Sequence, residues 1–462
     1  MSESGGSLIA ESTVTLSGEI ITPDDDAYEA ARRVFNGRID RRPALIVQCA
    51  TADDAAQALR FARDRGLPLS VRGGGHDVAG RSVNDGGMVL DLSLMKRLEV
   101  DPQARTVRAG AGLLWREFDQ GTHRHRLAAT GAPFSSVGLA GFTLGGGLGW
   151  LMRRYGLGCD NLLGVRIVTA EGNTLRADAR EHPDLFWAVR GGGGNFGLVT
   201  ELEFRLHPLR RVLGGAVLYS PGDAPQVLAW LRDHALALPE ELTIMASFVT
   251  VPPFPLLPKA IYGASALALI ACYAGSARAG RRALKPLRDL ARPLADLIVS
   301  LPYPRFQQAF DFYVPAGSLN YWRSGYLWNL TDETIALLTE FARTMPRPLA
   351  HMDLHFMGGA VARVDREATA FSYRDAFAAL SLVTTWTDPA QTDANLAWAE
   401  DLWRALRPHT RGVYVNFLGD EGPARVREAY HPDTYARLAQ VKRRYDPDNV
   451  FRHNQNIPPA GD

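Results

Sequence analysis

Apolar and polar positions alternate differently in the two halves of this chain. In the first half, apolar runs at 44–49 and 67–71 flank a segment at 51–63 in which apolar residues recur at helical spacing. These patterns predict a strand, an amphipathic helix that begins after Thr51, and a second strand. The same half predicts helices at 24–35 and 184–190, and further strands at 87–93, 106–110, 164–170 and 198–204.

From about residue 206 the composition changes, and the segments become rich in proline and aromatic residues. The apolar run 261–273 is too short to span a membrane and is predicted to be a buried strand. A sheet with helices on one face is the expected architecture. The predicted helices are 221–238, 278–291, 331–344 and 388–406, and the strands include 243–249, 267–272 and 354–357. After about residue 405 the chain again contains short distinctive motifs, together with a predicted helix at 430–441. The predicted units are therefore 1–205, 206–405 and 406–462.

Glycine clusters interrupt the first unit at three places. The first glycine loop, Gly73 to Gly75, follows a strand and leads into His76. Consecutive glycines leave backbone N–H groups free to converge on an anion such as a pyrophosphate. His76 could serve there as base, ligand or covalent anchor, or it could be a capped histidine in a purely structural loop.

The second glycine loop, 138–149, has six glycines in twelve residues, and the third occupies 191–197. Such density is costly inside a helix or strand, so it indicates either a flat ligand against the backbone or a tight helix crossing. Three such loops suggest one long ligand. They lack the Gly-x-Gly-x-x-Gly dinucleotide fingerprint and a Walker lysine.

Composition narrows the range of partners. A net charge of +1 gives no electrostatic case for nucleic acid or an anionic membrane, so a small molecule is the expected partner. Cys49, Cys159 and Cys272 form no disulfide framework or metal-ligand spacing, which predicts a reducing compartment and no metal site. The first ten residues lack the basic start of a secretory signal, and a cytoplasmic location is expected.

Taken together, the motifs resemble those of the berberine-bridge-enzyme-like branch of the vanillyl-alcohol oxidase superfamily. The resemblance implies an α+β fold, with a PCMH-type FAD-binding domain of two α/β subdomains and a substrate domain whose antiparallel sheet is covered by helices. Residues 1–205 and 406–462 would form the first domain and 206–405 the second. The motifs are Arg72 to His76, Gly145 to Gly149, Tyr155 to Leu163, Trp187 to Gly197, Tyr414 with Asn416, and Tyr445 to Phe451.

The resemblance further implies that FAD is bound covalently, through a ring nitrogen of His76 and the 8α-methyl group of the flavin. Many relatives have a second link from a cysteine, but the matching position here is Phe134 and Cys159 lies too far along the chain, so one link is expected. The small side chain of Val137 matches a position that governs oxygen access and favours oxidase behaviour. The expected cofactor-binding residues are Arg72, Gly73, Gly74, Gly75, His76, Asp77, Gly80, Val137, Gly138, Gly141, Gly145, Gly146, Gly147, Gly149, Asp160, Asn161, Gly197, Leu198, Asn416 and Asn454.

Tyr414 is the leading candidate for the catalytic base, because the resemblance places the Tyr414 and Asn416 side chains together above the flavin. A free phenol has a pKa of about 10, so Tyr414 would need a nearby cation or a proton relay. The alternative is a tyrosine that only packs and hydrogen-bonds at the cofactor. Further candidates on the substrate domain are His351, His355, Tyr373 and Arg374, with Tyr321 and Trp322 as aromatic walls.

These expectations lead to an FAD-dependent oxidase that produces hydrogen peroxide. Its substrate would be an alcohol, amine or phenolic carbon of a secondary metabolite or alkaloid-like small molecule, with O2 as acceptor. A flavin dehydrogenase or an oxidative-cyclisation catalyst with the same covalent FAD is the alternative, and a non-catalytic flavin carrier is a third reading. No nucleic acid or membrane partner is expected, and a homodimer is left open.

Overall fold

The computed structural model describes residues 16–461, and the strands of this part of the chain form four sheets. In the first, Met88–Asp91 lies between Leu45–Gln48 and Leu69–Arg72 and is parallel to both, while Glu19–Ile21 pairs antiparallel at the edge. The helix Ala52–Asp64 packs on this sheet and begins with a capping box between Thr51 and Asp54. The predicted strand, helix and strand over 44–71 are therefore confirmed.

The second sheet has five antiparallel strands, with Leu198–Arg205 at its centre. Its order is Leu98–Asp101, Thr106–Gly110, Leu198–Arg205, Leu162–Val168 and Thr174–Asp178. A pair of two-residue strands, Leu127–Ala128 and His207–Pro208, forms a third, small sheet where the chain leaves this region. The first glycine loop directly follows the strand Leu69–Arg72, and the third directly precedes Leu198–Arg205, whereas the second includes the short helix Leu139–Leu144.

The largest sheet has nine antiparallel strands, drawn from the part of the chain between residues 211 and 411. At its middle, His351–Phe356 pairs with Leu242–Thr250 on one side and Ala378–Trp386 on the other. The remaining strands are Arg211–Tyr219, Ser265–Tyr273, Ala295–Asp296, Val299–Pro302, Leu319–Leu327 and Thr410–Arg411.

Four helices cover one face of the nine-stranded sheet: Ala224–His234, Ala277–Arg288, Asp332–Thr344 and Thr392–Leu406. Buried Leu228, Leu338 and Leu402 from these helices join Leu354 and Leu380 of the sheet in one apolar cluster. The opposite face of the central strands faces the glycine loops. This arrangement confirms the expected α+β fold with a helix-covered antiparallel sheet, whereas the domain boundaries stay a prediction.

The other α-helices are shorter, except for one near the end of the described chain. They are Tyr28–Ala31, Trp115–His123, Leu139–Leu144, Met152–Tyr155, Pro183–Ala188, Tyr303–Gln307, Ala360–Arg363, Gly422–Glu428 and Pro432–Tyr445. The helix predicted at 24–35 is only one turn long. The Asp25 carboxylate accepts hydrogen bonds from the Thr22 N–H at 2.7 Å and the Thr22 hydroxyl at 2.9 Å, which holds the preceding residues in a turn.

Candidate functional site

A cleft lies between the glycine loops and the uncovered face of the nine-stranded sheet. Residues of all three glycine loops line it at one end, and the central sheet strands line the other. The walls between are mainly apolar, and include Phe134, Trp322, Val383 and Phe417. Five of the six sequence motifs thus contribute to one cavity from chain segments far apart, whereas Tyr155 to Leu163 does not line it.

The first glycine loop is held by its neighbours on both sides. Arg72 points away from the cleft, and its guanidinium donates to the Asp91 carboxylate at 2.8 Å on the adjacent strand. A Cβ on Gly74 would lie 2.4 Å from the Cα of Gly138, so the first and second loops touch through bare backbone. Any side chain at either position would push the loops apart.

His76 follows this loop with its ring fixed in place. The imidazole stacks on Phe35, with ring centroids 3.8 Å apart and planes 13° apart. The residue is partly open to the cleft, but its Nε2 atom is buried and has no hydrogen-bond partner in residues 16–461. Burial lowers the pKa of His76 from 6.5 to about 4, so the ring is neutral at physiological pH. A neutral imidazole with an unused nitrogen is available to form a bond.

The second glycine loop combines open and crowded positions. A Cβ on Gly141, which lines the cleft, would meet nothing within 4 Å and would project into the cavity. A Cβ on Gly145 would lie 2.0 Å from Oδ1 of Asn416, so the glycine makes room for that amide. Gly146 and Gly147 have φ values of +126° and +93°, which disfavour other residues. Gly145, Gly146, Gly147 and Gly149 shape the loop without lining the cleft.

The third glycine loop closes the same end. Gly193, Gly194 and Gly197 line the cleft, and a Cβ on Gly194 would again meet nothing within 4 Å. Asn454 reaches this loop from the C-terminal segment and donates to the Gly194 carbonyl at 3.2 Å. The neighbouring Gln455 donates to Oδ2 of Asp77 at 3.1 Å, so this segment also braces the first loop.

Some residues expected at the cofactor have structural partners instead. Asp160 forms a buried ion pair with Arg374, at 2.7 and 2.9 Å, and Asn161 donates to the Leu157 carbonyl at 2.8 Å. Neither side chain lines the cleft, and the same is true of Arg72, Gly80 and Leu198. Their expected contacts with a cofactor stay predictions.

Tyr414 and Asn416 both line the cleft, at a helical turn, Val415–Phe417, and their catalytic roles stay predictions. The Tyr414 hydroxyl accepts hydrogen bonds from Asn416 Nδ2 at 2.8 Å, Gly147 N–H at 2.8 Å and Leu148 N–H at 3.3 Å. Burial raises the pKa of Tyr414 above its usual range, and the three donors oppose that rise without reversing it.

The secondary candidates separate into two groups. His351 and His355 line the cleft from the central strand of the large sheet, and Trp322 lines it from a neighbouring strand. Tyr373 donates to the Glu428 carbonyl at 2.9 Å, and Tyr321 to the Glu400 carboxylate, both away from the cleft. Arg374 holds Asp160, so it too is outside the site.

Sequence reasoning missed Asp353, which lies between His351 and His355 and also lines the cleft. Its carboxylate accepts a hydrogen bond from Ser247 at 2.5 Å, and from Ser381 at 3.4 Å, on the two flanking strands. The signal was present in the sequence, because polar residues occupy alternate positions of an otherwise apolar strand. Only the register of three strands, however, shows that the serines stand beside the aspartate.

The residues fit an FAD molecule on two observations. Glycines in the second and third loops leave room along the cleft for a flat group, and the buried Nε2 of His76 faces no protein partner in residues 16–461.

Across residues 16–461 no cluster of three or more His, Cys, Asp or Glu side chains is arranged to hold a metal ion. Nor does any described helix have the length and apolar character needed to cross a membrane.

Comparison with known proteins points the same way as the geometry. A family model for an FAD binding domain matches residues 43–178, and one described as berberine and berberine like matches residues 413–458. These two segments contain His76 and the Tyr414–Asn416 pair respectively.

Relatives match along almost the whole chain. An uncharacterized FAD-linked oxidoreductase of Bacillus subtilis (strain 168), YgaK, is 33% identical over 454 residues, which cover 96% of this chain and 97% of YgaK. The (R)-6-hydroxynicotine oxidase of Paenarthrobacter nicotinovorans is 33% identical over 467 residues, covering 97% of this chain and 98% of that enzyme.

Solved structures of FAD-linked oxidases have the same fold as this chain. The crystal structure of 6-hydroxy-D-nicotine oxidase from Arthrobacter nicotinovorans has a TM-score of 0.88 and 31% identity, and the match covers 97% of this chain and all of that one (100%). Xylooligosaccharide oxidase from Myceliophthora thermophila C1 has a TM-score of 0.87 at 21% identity, covering 100% of both chains, and so shares the fold.

Proposed function

The chain belongs to the berberine-bridge-enzyme-like family of FAD-linked oxidoreductases, and we propose that it is an oxidase with a single histidyl-linked flavin. The proposed substrate is an alcohol, amine or phenolic carbon of a secondary metabolite or alkaloid-like small molecule. The proposed electron acceptor is O2, which would be reduced to hydrogen peroxide.

The observation that carries this proposal is the position and hydrogen bonding of the His76 ring. Its ring is neutral, stacked on Phe35 and next to the glycine loops, and its Nε2 has no partner among the described residues. A buried polar atom usually has a hydrogen-bond partner, and one without calls for an explanation. A covalent bond from the imidazole to the 8α-methyl carbon of FAD provides one, since the cleft can take the rest of the cofactor.

A single attachment point is supported by Phe134. Its side chain lines the cleft at the position where many relatives have a cysteine, and a phenyl ring has no sulfur to form a second link. Cys159 is buried next to Asp160 and burial raises the pKa of its thiol, so it is not a reactive thiolate. It also does not line the cleft.

The glycine loops would hold the dinucleotide part of FAD, with Gly73 to Gly75, Gly138, Gly141 and Gly197 as the expected backbone contacts. When bound, FAD accepts a hydride from a substrate carbon, and the protein must supply orientation and a proton acceptor. Tyr414 and Asn416 are proposed to lie against the substrate and fix its position. The apolar walls would bind the body of the substrate and exclude water.

The kind of relative suggests which substrate to test first. A hydroxynicotine oxidase sequence and a hydroxynicotine oxidase crystal structure match this chain at 33% and 31% identity. We therefore take (R)-6-hydroxynicotine, an amine with a phenol-like hydroxyl, as the first compound in an anaerobic screen for bleaching of the flavin absorbance. Simple alcohols and other cyclic amines form the rest of the panel.

The cofactor is tested by the visible spectrum of acid-precipitated protein, followed by peptide mass mapping. The yellow colour is expected to stay with the precipitate and the peptide containing His76 to carry the mass of FAD. His76→Ala should release the colour on denaturation, whereas His125→Gln, at an exposed position, should retain it. A colourless protein from riboflavin-supplied cells, or an unmodified His76 peptide, would overturn the proposal.

The choice between oxidase and the dehydrogenase or cyclisation alternative needs a second measurement. Once a reducing compound is found, oxygen consumption and reduction of an artificial acceptor are compared with the same enzyme. Stoichiometric hydrogen peroxide supports the oxidase. Turnover only with the artificial acceptor, or a cyclised product, supports the alternative.

A further inference from the structure

Tyr414 and His355 are two of the titratable residues that line the cleft, and their hydrogen bonding differs completely. The Tyr414 hydroxyl already accepts from Asn416, Gly147 and Leu148. His355 makes no hydrogen bond or ion pair with any residue that the structure describes, although only 7% of its surface is exposed. Its one recorded ring contact is with Phe417, at 5.6 Å between centroids.

On this contrast we propose that His355, rather than Tyr414, accepts the proton that the substrate loses during oxidation. The inference rests on the proposed FAD-dependent oxidation. In that reaction the substrate C–H bond breaks and its electron pair passes as hydride to FAD, the adjoining O–H or N–H proton passes to a ring nitrogen of His355, and a C=O or C=N bond forms. The substrate is oxidised by two electrons and FAD is reduced by two.

Strand geometry supports this assignment. His351, Asp353 and His355 occupy alternate positions of one strand, so their side chains share the cleft face of the sheet. Met352, Leu354 and Phe356 point to the opposite face and pack in the helix-covered core. His355 is thus held by a rigid central strand, and its direct cross-strand neighbours, Met245 and Ala379, offer no competing hydrogen bond.

Asp353 is arranged to help a charged His355 without binding it. Its carboxylate is occupied by Ser247 and Ser381, and His351 Nε2 lies 3.5 Å from it. No Lys or Arg of the described chain pairs with Asp353, so its carboxylate has only the two histidines as cationic neighbours, His351 at 3.5 Å and His355, whose charged form it favours. We therefore assign Asp353 as a positioning residue that favours imidazolium at His355.

The resting ionisation agrees with a proton acceptor. Burial lowers the pKa of His355 below 6.5, which keeps the ring neutral, while Asp353 opposes and His351 adds to that shift. Two tyrosines also lie near the strand: Tyr414, in the same cleft, and Tyr313, whose hydroxyl donates to the Thr250 carbonyl at 3.4 Å. Burial raises the pKa of both, so neither is charged at neutral pH.

The test uses 4-nitrophenol, whose neutral and ionised forms absorb at different wavelengths, as a probe with an acidic hydroxyl. The oxidised holoprotein is titrated with it across the pH range, so that no turnover is needed. We expect the bound probe to ionise about one to three pH units lower than in free solution, because a positive imidazolium next to the oxygen favours the phenolate. Phenolate next to oxidised flavin should also give a long-wavelength absorbance band.

Three variants separate the candidates. His355→Gln should abolish most of the shift and weaken binding at low pH by about tenfold or more, the usual size of a charge-assisted hydrogen bond. Tyr414→Phe should retain the shift, and so should His125→Gln at the surface. His355→Gly should also lose the shift, and added imidazole should restore part of it. This rescue tests the role of the ring even if the Gln variant folds poorly.

Two sets of results overturn the inference. One is a probe that ionises equally in wild type and His355→Gln, or that fails to bind to yellow wild-type protein at all. The other is a shift lost only in Tyr414→Phe, which would assign the proton acceptor to Tyr414. Both leave the proposed flavin enzyme standing, whereas colourless protein overturns the proposed function together with this inference.

Discussion

The imidazole of His76 lies flat against the ring of Phe35, with the two centroids 3.8 Å apart. Phe35 is buried, and it contributes to the same apolar cluster as Trp322, a wall of the cleft. The stack therefore fixes the plane of the residue that we propose as the flavin anchor. The position of a reacting atom is often controlled in this way by a neighbour that takes no part in the chemistry.

Phe35→Leu is expected to slow covalent attachment of FAD. The change keeps most of the apolar volume but removes the ring face, and stacking of this kind contributes about 0.5–1.5 kcal/mol. Attachment should therefore be about two- to tenfold slower. Flavin fluorescence of denatured protein, sampled during incubation of apoprotein with FAD, measures it, and Phe312→Leu at an exposed position is the control. An unchanged rate would show that the stack is irrelevant to attachment.

Tyr414→Phe is expected to cost stability. Without the hydroxyl, the Gly147 and Leu148 N–H groups and the Asn416 amide lose their shared acceptor in a buried site. An unpaired buried donor costs about 1–3 kcal/mol, and the unfolding free energy should fall by about that amount. Urea denaturation gives the value. Tyr262→Phe, whose hydroxyl binds only the exposed Phe254 carbonyl, should change it little.

Asp160→Asn tests whether this residue supports the fold. The substitution leaves the guanidinium of Arg374 buried beside a neutral amide, which is expected to cost about 3–5 kcal/mol. Asp332→Asn is the matched control, because it breaks an ion pair with Arg232 in which the Asp332 side chain is 91% exposed. Equal melting temperatures for the two variants would contradict the structural role. If flavin binding weakened while stability stayed normal, the result would instead support the expected role of Asp160 in cofactor binding.

His207 predicts a dependence of stability on pH. Burial lowers its pKa to about 4, whereas the unfolded chain takes up the proton near 6.5. Between these values the unfolded state binds more protons, so the unfolding free energy falls as the pH drops through this window. Because the ring is partly exposed, we expect a loss of about 1–2 kcal/mol. In His207→Gln, the unfolding free energies obtained by urea denaturation at pH 7.5 and pH 5 should differ less than in wild type. An unchanged difference would show that His207 does not cause the pH dependence.

Val137→Leu is expected to slow reoxidation of the reduced flavin. Val137 lines the cleft, and a larger side chain there would narrow the approach of O2. An added barrier of about 1.4 kcal/mol makes the reaction about tenfold slower. Flavin reduced by dithionite without oxygen and then mixed with O2 gives the rate and needs no substrate. Equal rates for Val137→Leu and wild type would place oxygen access elsewhere.

Local sequence patterns indicated the glycine loops and singled out His76, and the family resemblance singled out Tyr414 with Asn416. The structure places these residues in one cleft, and their roles stay predictions. The strand and helix over 45–64 were equally local, with Thr51 as an unambiguous cap. The fold class followed from these motifs taken together.

Contacts between distant segments could not be predicted in this way. The hydrogen bonds of Asp160 with Arg374 and of Asn161 with His207 join residues 214 and 46 positions apart, so the sequence did not indicate them, and the contact of both residues with a cofactor stays a prediction. The row formed by Ser247, Asp353 and Ser381 exists only because three strands pair in one register. Pairing order in a nine-stranded sheet depends on packing of the whole chain, and no short pattern encodes it.

The hydrogen bond from Gln455 to Asp77 joins residues 378 positions apart, and Asp77 directly follows the proposed flavin anchor, His76. Translation produces the anchor long before it produces the brace, since a chain is made and begins to fold from its N-terminus. A ribosome-bound fragment that ends before Gln455 would thus present His76 without its full surroundings. Flavinylation should accordingly be a late maturation event that follows synthesis of Gln455.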